Sequence, residues 1–293
     1  MTPEDLQKAR TMASVCTEKL SLPLHSRVWK GQAGEFLGAG SGSSLDFQDP
    51  RTYVPGDDPR HINWQAYARS GNYTMKLYRE EVRPVIDFVA DVSASMFFEP
   101  TKAQRALELF YFIIDGALRV GASLRIHLVC GESHQSLAPD ALRGEHWLDQ
   151  IEKLQTSDTE TPPSLSKIPF RANTFRVFLS DLLFPQDPNE TIRLLGQRQG
   201  SPIIFVPYTK EEATPDWQGN YEFVDAESQS RHPHRIEPAI LKRYQKAYLN
   251  HFSLWKTSAR RYGALMARVS ADTDLETALH AEAVPTGALS VTN

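Results

Sequence analysis

The period at which apolar residues recur changes along this chain, and the changes mark out its parts. Over residues 3–20, Leu6, Ala9, Ala13 and Leu20 fall at roughly helical spacing, which predicts a short amphipathic helix. A Gly/Ser-rich stretch, Gly38-Ala-Gly-Ser-Gly-Ser-Ser44, reads as a flexible connection, since it lacks the Gly-Lys-Ser/Thr ending and preceding strand of a phosphate-binding loop. Pro55-Gly56 predicts a turn, Pro presetting φ and Gly tolerating positive values. Around Trp64, the charges Asp57, Asp58, Arg60 and Arg69 are dense enough for a local ion-pair network, and Tyr73, Met75 and Leu77 then alternate as a strand.

From Pro84 the pattern becomes repeating strand and helix. Val85–Ala90 is a short apolar strand ending at Asp91, and a helix is predicted over 101–120, with Ala106, Leu109, Phe110, Ile113 and Ala117 on one face. Further strands are predicted at 124–130, 175–181, 202–207 and 264–269, with helices at 140–155, 188–199, 238–262 and from 274 onward. Tyr221–Asp225 and Arg231–Ile236 suggest a small β-hairpin, and the final ten residues read as frayed. Alternating units of this kind imply an α/β fold, a doubly wound, mainly parallel Rossmann-type sheet with helices on both faces. The expected division is an N-terminal extension at 1–83 and the α/β domain at 84–285.

Composition adds exclusions. With 41% hydrophobic and 23% charged residues among 293, the chain reads as an ordinary globular protein. Its net charge of -4, with Lys and Arg scattered along the chain, argues against a nucleic-acid partner. No apolar run is long enough for a membrane segment, and the acidic start is unlike a secretory signal. Cys16 and Cys130 read as buried free thiols. Together these features place the protein, as an expectation, in the cytoplasm.

Candidate chemistry sits in Asp91-Val-Ser-Ala-Ser95. Asp91, Ser93 and Ser95 fall at i, i+2 and i+4 just beyond a strand, so a tight loop can turn one carboxylate and two hydroxyls toward one point. Such a donor set suits Mg²⁺ or Mn²⁺ and leaves the cation able to accept an outside carboxylate. Helix N-capping by the same short polar residues is the competing explanation. Ser180-Asp181 favours the cation: it ends another apolar strand, and in strand order 3-2-1-4-5-6 the first and fourth strands flank the crevice where ligands bind. Two carboxylates brought together there repel, and a cation relieves the repulsion. An Asp-dependent phosphatase or phosphotransferase is the rival class, but Ser93 stands where a second Asp would supply the general acid. A metal-free scaffold is the third. His232-Pro-His234 reads as exposed loop, and Asp87, inside the first strand, is expected at a solvent-facing strand start or paired with an upstream arginine.

Asp91-x-Ser-x-Ser95 followed by Asp181 resembles the metal-ion-dependent adhesion site of von Willebrand factor A domains. That resemblance implies a completing threonine from an intermediate loop, and Gln155–Thr161 offers Thr156, Thr159 and Thr161, of which Thr159 or Thr161 is selected. With Arg51-x-Tyr-x-Pro-Gly-Asp-Asp-x-Arg60, Ile62-Asn-Trp64, Ala68-Arg69, Met96, Val224-Asp-Ala-Glu-Ser228 and Tyr244, the chain is similar to the domain-of-unknown-function 58 family over roughly 30–270. Asn63 departs from the Asp more frequent there. The resemblance implies a non-enzymatic interaction module acting with a MoxR-type AAA+ ATPase or its client in chaperone-like maturation.

Overall fold

The computed structural model describes residues 2–24, 33–41, 47–56, 59–143, 146–155 and 161–292, with backbone alone for 33–41, 47–51, 61, 76–82, 143 and 146. Chain contacts define two compact units, residues 24–84 and residues 1–23 with 85–293. The first helix therefore belongs to the larger unit and not to an N-terminal extension as expected.

That helix, α1 (Pro3–Lys19), starts at a reciprocal Thr2/Asp5 capping box and buries Leu6, Ala9, Ala13 and Cys16. Its small apolar stripe packs on the helix spanning 100–119. Strand β1 (Leu20–Ser21) then pairs antiparallel with Ser290–Val291, so the last residues are tied to the domain rather than frayed. Two backbone ladder rungs, invisible to hydrophobic periodicity, make the difference.

The smaller unit holds β2 (Ala33–Ser41), β3 (Phe47–Thr52), α2 (Trp64–Ser70) and β4 (Thr74–Val82), with strand order β2-β4-β3, all antiparallel. Gly38–Ser41 thus lies in a strand, not a flexible connection. Register shifts occur beside these glycines, which lack the side chains that pin a register. Asn63 caps α2 by accepting from Ala66 N at 3.2 Å, a task Asp performs equally well. Tyr67 and Tyr73 stack at 4.4 Å with Trp64 edge-on to both. Asp57 and Asp58, half of the expected ion-pair network, lie outside the described residues.

In the larger unit follow β5 (Val85–Asp91), α3 (Pro100–Arg119), β6 (Ser123–Cys130), β7 (Ser133–Leu137), α4 (His146–Gln155), β8 (Phe175–Leu179), α5 (Pro188–Gly196) and β9 (Ser201–Tyr208). The chain continues through α6 (Lys210–Ala213), β10 (Gly219–Val224), β11 (Arg231–Ile236), α7 (Pro238–Arg261), β12 (Leu265–Ser270), α8 (Leu275–Ala278) and β13 (Ser290–Val291). Six strands form the central sheet in order β12-β9-β8-β5-β6-β7, all neighbours parallel except β6 and β7. This is the doubly wound α/β arrangement. The edge strand β7 carries Ser-His-Gln-Ser, which has no apolar alternation and was not legible as a strand. His232 and His234 lie on exposed strand β11 rather than in a loop.

Alternate residues of the strands serve opposite faces. Val89, Phe178, Ile204 and Val206 meet Ile192 and Leu195 of α5 and Phe252, Trp255 and Ala259 of α7. On the other face Phe88 contacts Phe110 of α3, which stacks on Trp147 of α4 at 5.0 Å. Both cysteines are buried and free.

Asp87 is not at a solvent-facing strand start. It is wholly buried and accepts from Arg171 N at 2.8 Å and Arg171 Nε at 2.7 Å. Arg171 also donates to Ser123 Oγ and to the carbonyls of Ile86 and Ser123, tying the starts of β5 and β6 together.

His127 of β6 is also buried, its Nδ1 3.0 Å from Ser136 Oγ. Burial pushes its pKa down to about 4 despite the nearby negative charge of Asp87, with His134, Arg125 and Arg171 acting in the same direction as burial. The native state therefore keeps the ring neutral while the unfolded chain takes up a proton below about 6.5. Stability from this group is complete above 6.5 and is lost as pH falls through 6.5 toward 4. Between pH 7 and pH 5 the loss should be about 1.5 kcal/mol, allowing for partial screening. Urea unfolding of wild type and His127→Gln at both pH values checks this; equal pH slopes in the two proteins would dismiss it.

Candidate functional site

The parallel strands β5 and β8 are direct neighbours, in register from Ile86/Phe175 to Ala90/Leu179. Their next residues, Asp91 and Ser180-Asp181, therefore emerge side by side at the carboxyl edge of the sheet. Beside this edge the connections diverge: β5 leads through α3 to β6 on one side, and β8 leads through α5 to β9 on the other. A crevice opens at such a reversal. Both carboxylates are buried, each 2% exposed.

Asp91 has hydroxyl and backbone partners but no cationic side chain among the described residues. Ser180 Oγ donates to its Oδ2 at 2.7 Å, and Ser93 N donates to its Oδ1 at 3.0 Å. Burial, followed by the negative charge of Asp181, pushes its pKa up to about 7. Those hydrogen bonds only partly offset the shift. Ser93 and Ser95 bring their hydroxyls within 3.2 Å of each other just above it.

Asp181 has its own neutraliser. Lys102, 3% exposed in the first turn of α3, meets Asp181 Oδ2 at 3.1 Å and Glu212 Oε1 at 2.5 Å. Burial disfavours the ammonium, but the two carboxylates outweigh it and hold its pKa above the ordinary value. A lysine in a first helical turn faces the positive end of the helix dipole, so its position depends on these acids. Glu212 is itself fixed by a reciprocal capping box with Thr209. The backbone beyond Asp181 is strained: Leu182 sits at φ 57. Ser180 Oγ holds its amide at 3.1 Å and His251 Nε2 its carbonyl at 2.7 Å.

Ser93, Ser95, Asp181 and Thr161 line one cavity of about 470 Å³, with residues 225–228 of the β10–β11 turn forming another wall. From that wall Glu227 accepts from Ala94 N at 3.2 Å and Ser95 N at 2.9 Å, bracing the very loop that bears the hydroxyls. Asp225 shapes the turn by accepting from Glu227 N and Ser228 N. The structure thus brings Ser93, Ser95, Asp181 and Thr161 to one cavity, with Asp91 buried at the same sheet edge but outside its lining, while Thr159 lies outside the described residues.

Lys102, Ser180, Glu212 and Glu227 were missed as site residues. Two of them left signals: Lys102 interrupts the apolar face of α3, and Thr209-Lys-Glu-Glu212 has capping-box spacing. Ser180 stood beside Asp181 at the strand end and Glu227 in the Val224–Ser228 motif, but no short-range spacing ties Ser180 to Asp91, and Glu227 reaches its loop from more than a hundred residues away.

The donor chemistry is that of a hard divalent cation: Asp91 and Asp181 are buried side by side, the described partners of Asp91 are the Ser180 hydroxyl and the Ser93 amide, and the Ser93 and Ser95 hydroxyls lie beside it. Two carboxylates and neutral hydroxyls are ligands Mg²⁺ or Mn²⁺ accept, with waters completing the shell. Among the described residues there is no group of three or more His, Cys, Asp and Glu placed to hold a metal, so serine and threonine hydroxyls and waters would have to complete the shell of any cation here.

Fold and site together define an α/β protein with a doubly wound sheet and paired acids at its switch point. The chain belongs to the family described as protein of unknown function DUF58, which matches residues 49–254. It is 24% identical over 279 residues to the uncharacterized proteins Mb1516 of Mycobacterium bovis and Rv1480 of Mycobacterium tuberculosis, covering 90% of this chain and 84% of each relative. Among solved structures it is similar to the conserved hypothetical protein BatB of Bacteroides thetaiotaomicron (TM-score 0.41, 11% identity, 69% of this chain and 98% of that one). It is also similar to an aerotolerance-related membrane protein of Bacteroides fragilis (TM-score 0.34, 13% identity, 61% and 98%). The cytoplasmic location expected from the sequence is corrected on this finding, since a structural neighbour is described as a membrane protein, and that assignment is withdrawn. Among the described residues no helix is long and apolar enough to cross a membrane.

Proposed function

We propose that this chain is a von Willebrand factor A-like interaction module, not an enzyme, that captures a partner's carboxylate through Mg²⁺ or Mn²⁺ held by Asp91, Ser93, Ser95, Asp181 and Thr161. On the family resemblance, the partner is a MoxR-type AAA+ ATPase or its client. One observation carries the reading: two buried carboxylates stand side by side at the switch point, and among the described residues only Asp181 meets a lysine. The cation supplies the missing charge at Asp91 and presents an open position to an outside acid. Asp91 and Asp181 hold it, Ser93 and Ser95 orient toward it, and Glu227 keeps their loop in place.

Thermal unfolding tests this directly. A cation a hundredfold above its Kd should stabilise the native state by about 2.7 kcal/mol. Wild type is expected to gain stability in millimolar Mg²⁺ or Mn²⁺, and Asp91→Asn/Asp181→Asn to gain none. No gain in wild type at any concentration would remove the cation from the proposal.

A further inference from the structure

Lys and Arg, expected from the sequence to be scattered along the chain, concentrate in one segment instead. Between Arg231 and Tyr262, strand β11 and helix α7 carry eight Lys and Arg against one acid, Glu237, although the whole chain has 32 basic residues and 36 acidic ones. On β11, Arg231 lies 3.0 Å from Glu222 and Arg235 lies 3.8 Å from Glu237. On α7 the picture differs. Lys242, Arg243, Lys246, Lys256 and Arg260 are all exposed, and none has a hydrogen-bond or ion-pair partner among the described residues.

Helical geometry arranges them. Tyr244, Tyr248, Phe252, Trp255 and Ala259, spaced by three and four residues, form the face packed on the sheet. Lys242, Lys246, Leu249, Lys256 and Arg260 share one side of the helix, a row about 27 Å long. Arg243 and Leu254 lie on the opposite flank. Like charges at i, i+4, such as Lys242/Lys246 and Lys256/Arg260, repel and weaken a helix. This surface therefore carries a repulsion that nothing within the described fold relieves. It also exposes aliphatic side chains: Ile240 is 47%, Leu249 65% and Leu254 61% exposed.

We infer that the outer face of α7 docks on an anionic phospholipid surface. Charge complementarity selects an anionic occupant. The aliphatic groups beside the lysines select lipid over bare phosphate, because Leu249 and Leu254 gain nothing from phosphate but can enter the headgroup boundary. Long lysine stems reach headgroups from a helix lying parallel to the surface. The helix does not span the bilayer: its inner face is committed to the sheet. This attachment is peripheral and independent of the cation site.

Vesicle co-sedimentation tests it with the full chain. Wild type should pellet with vesicles of phosphatidylcholine containing phosphatidylglycerol and stay in solution with phosphatidylcholine alone. Each basic residue near an anionic surface is worth about 1 kcal/mol, so Lys242→Gln/Lys246→Gln/Lys256→Gln/Arg260→Gln should lose at least about a hundredfold in vesicle affinity. All four positions are exposed, and an unchanged thermal unfolding profile would show that the variant is folded. Raising salt to about 1 M, where screening acts within about 3 Å, should release the wild type. Leu249→Ser/Leu254→Ser should weaken binding while leaving its salt dependence intact. Equal pelleting of wild type and the four-site variant, or no pelleting of wild type, would overturn the proposal. Binding to polyglutamate or duplex DNA with no binding to anionic vesicles would overturn it too, in favour of an acidic macromolecule.

Discussion

Asp87→Ala is expected to destabilise the larger unit by about 3–5 kcal/mol, the range for removing one partner of a buried charge pair. The carboxylate is wholly buried and answers both the backbone amide and the side chain of Arg171. In strand register it stands between Arg125 on β6 and Arg176 on β8. Arg176 is wholly buried; among the described residues it donates to the carbonyls of Arg171, Leu194 and Leu195 and lies over the Phe170 ring, and the charge of Asp87 favours its charged form. Alanine would leave two guanidinium groups at the sheet's amino edge without a counter-charge. Since domains are stable by only about 5–15 kcal/mol, this is a large fraction of the total. Urea denaturation of the wild type, Asp87→Asn and Asp87→Ala measures it, and Asp87→Asn should fall between because it keeps a hydrogen-bond acceptor. A change below about 1 kcal/mol for alanine would show that the clamp contributes little. Cation binding at the opposite edge of the sheet should be unaffected in any variant that remains folded.

Lys102→Met should also be severe, at about 3 kcal/mol or more in the presence of a chelator. The substitution keeps the apolar stem of the side chain but removes the ammonium between Asp181 and Glu212. Asp91, already raised by burial and by Asp181, then faces a stronger uncompensated field. Calorimetry with and without Mn²⁺ distinguishes the lysine's two effects. If the cation occupies the carboxylate pair, Mn²⁺ should recover more stability in Lys102→Met than it adds to wild type, because it supplies the missing charge. An equal increment in both proteins would show that lysine and cation act on separate groups. Complete insensitivity to Mn²⁺ in both would count against the cation reading, while leaving Lys102 as the internal counter-ion of a scaffold.

Some of this architecture was written into local pattern. The strand periods of β5, β6, β8 and β9 are clean because nearly every residue of these strands is buried, and the long helices between and after them each show an apolar stripe. Asp91, Ser93, Ser95 and Asp181 were visible because short polar residues stood abruptly at the ends of apolar strands. What periodicity could not register was anything carried by backbone pairing. Strand β7 is polar, the glycine-bearing part of β2 is held only by its ladder, and the C-terminal β13 has two residues.

Local spacing along the chain carried the alternating α/β core and the acid–hydroxyl cluster after the first core strand. These follow from short-range spacing, which a chain carries before it folds. Tertiary structure alone decided which charges meet. It joined Asp87 to Arg171, set Lys102 on Asp181, brought Glu227 onto the Ser93–Ser95 loop, and turned the lysines of α7 outward together. Coulomb and hydrogen-bond energies depend on separation in space and on burial, and neither quantity exists until the sheet has placed its edges and its helices have chosen their faces.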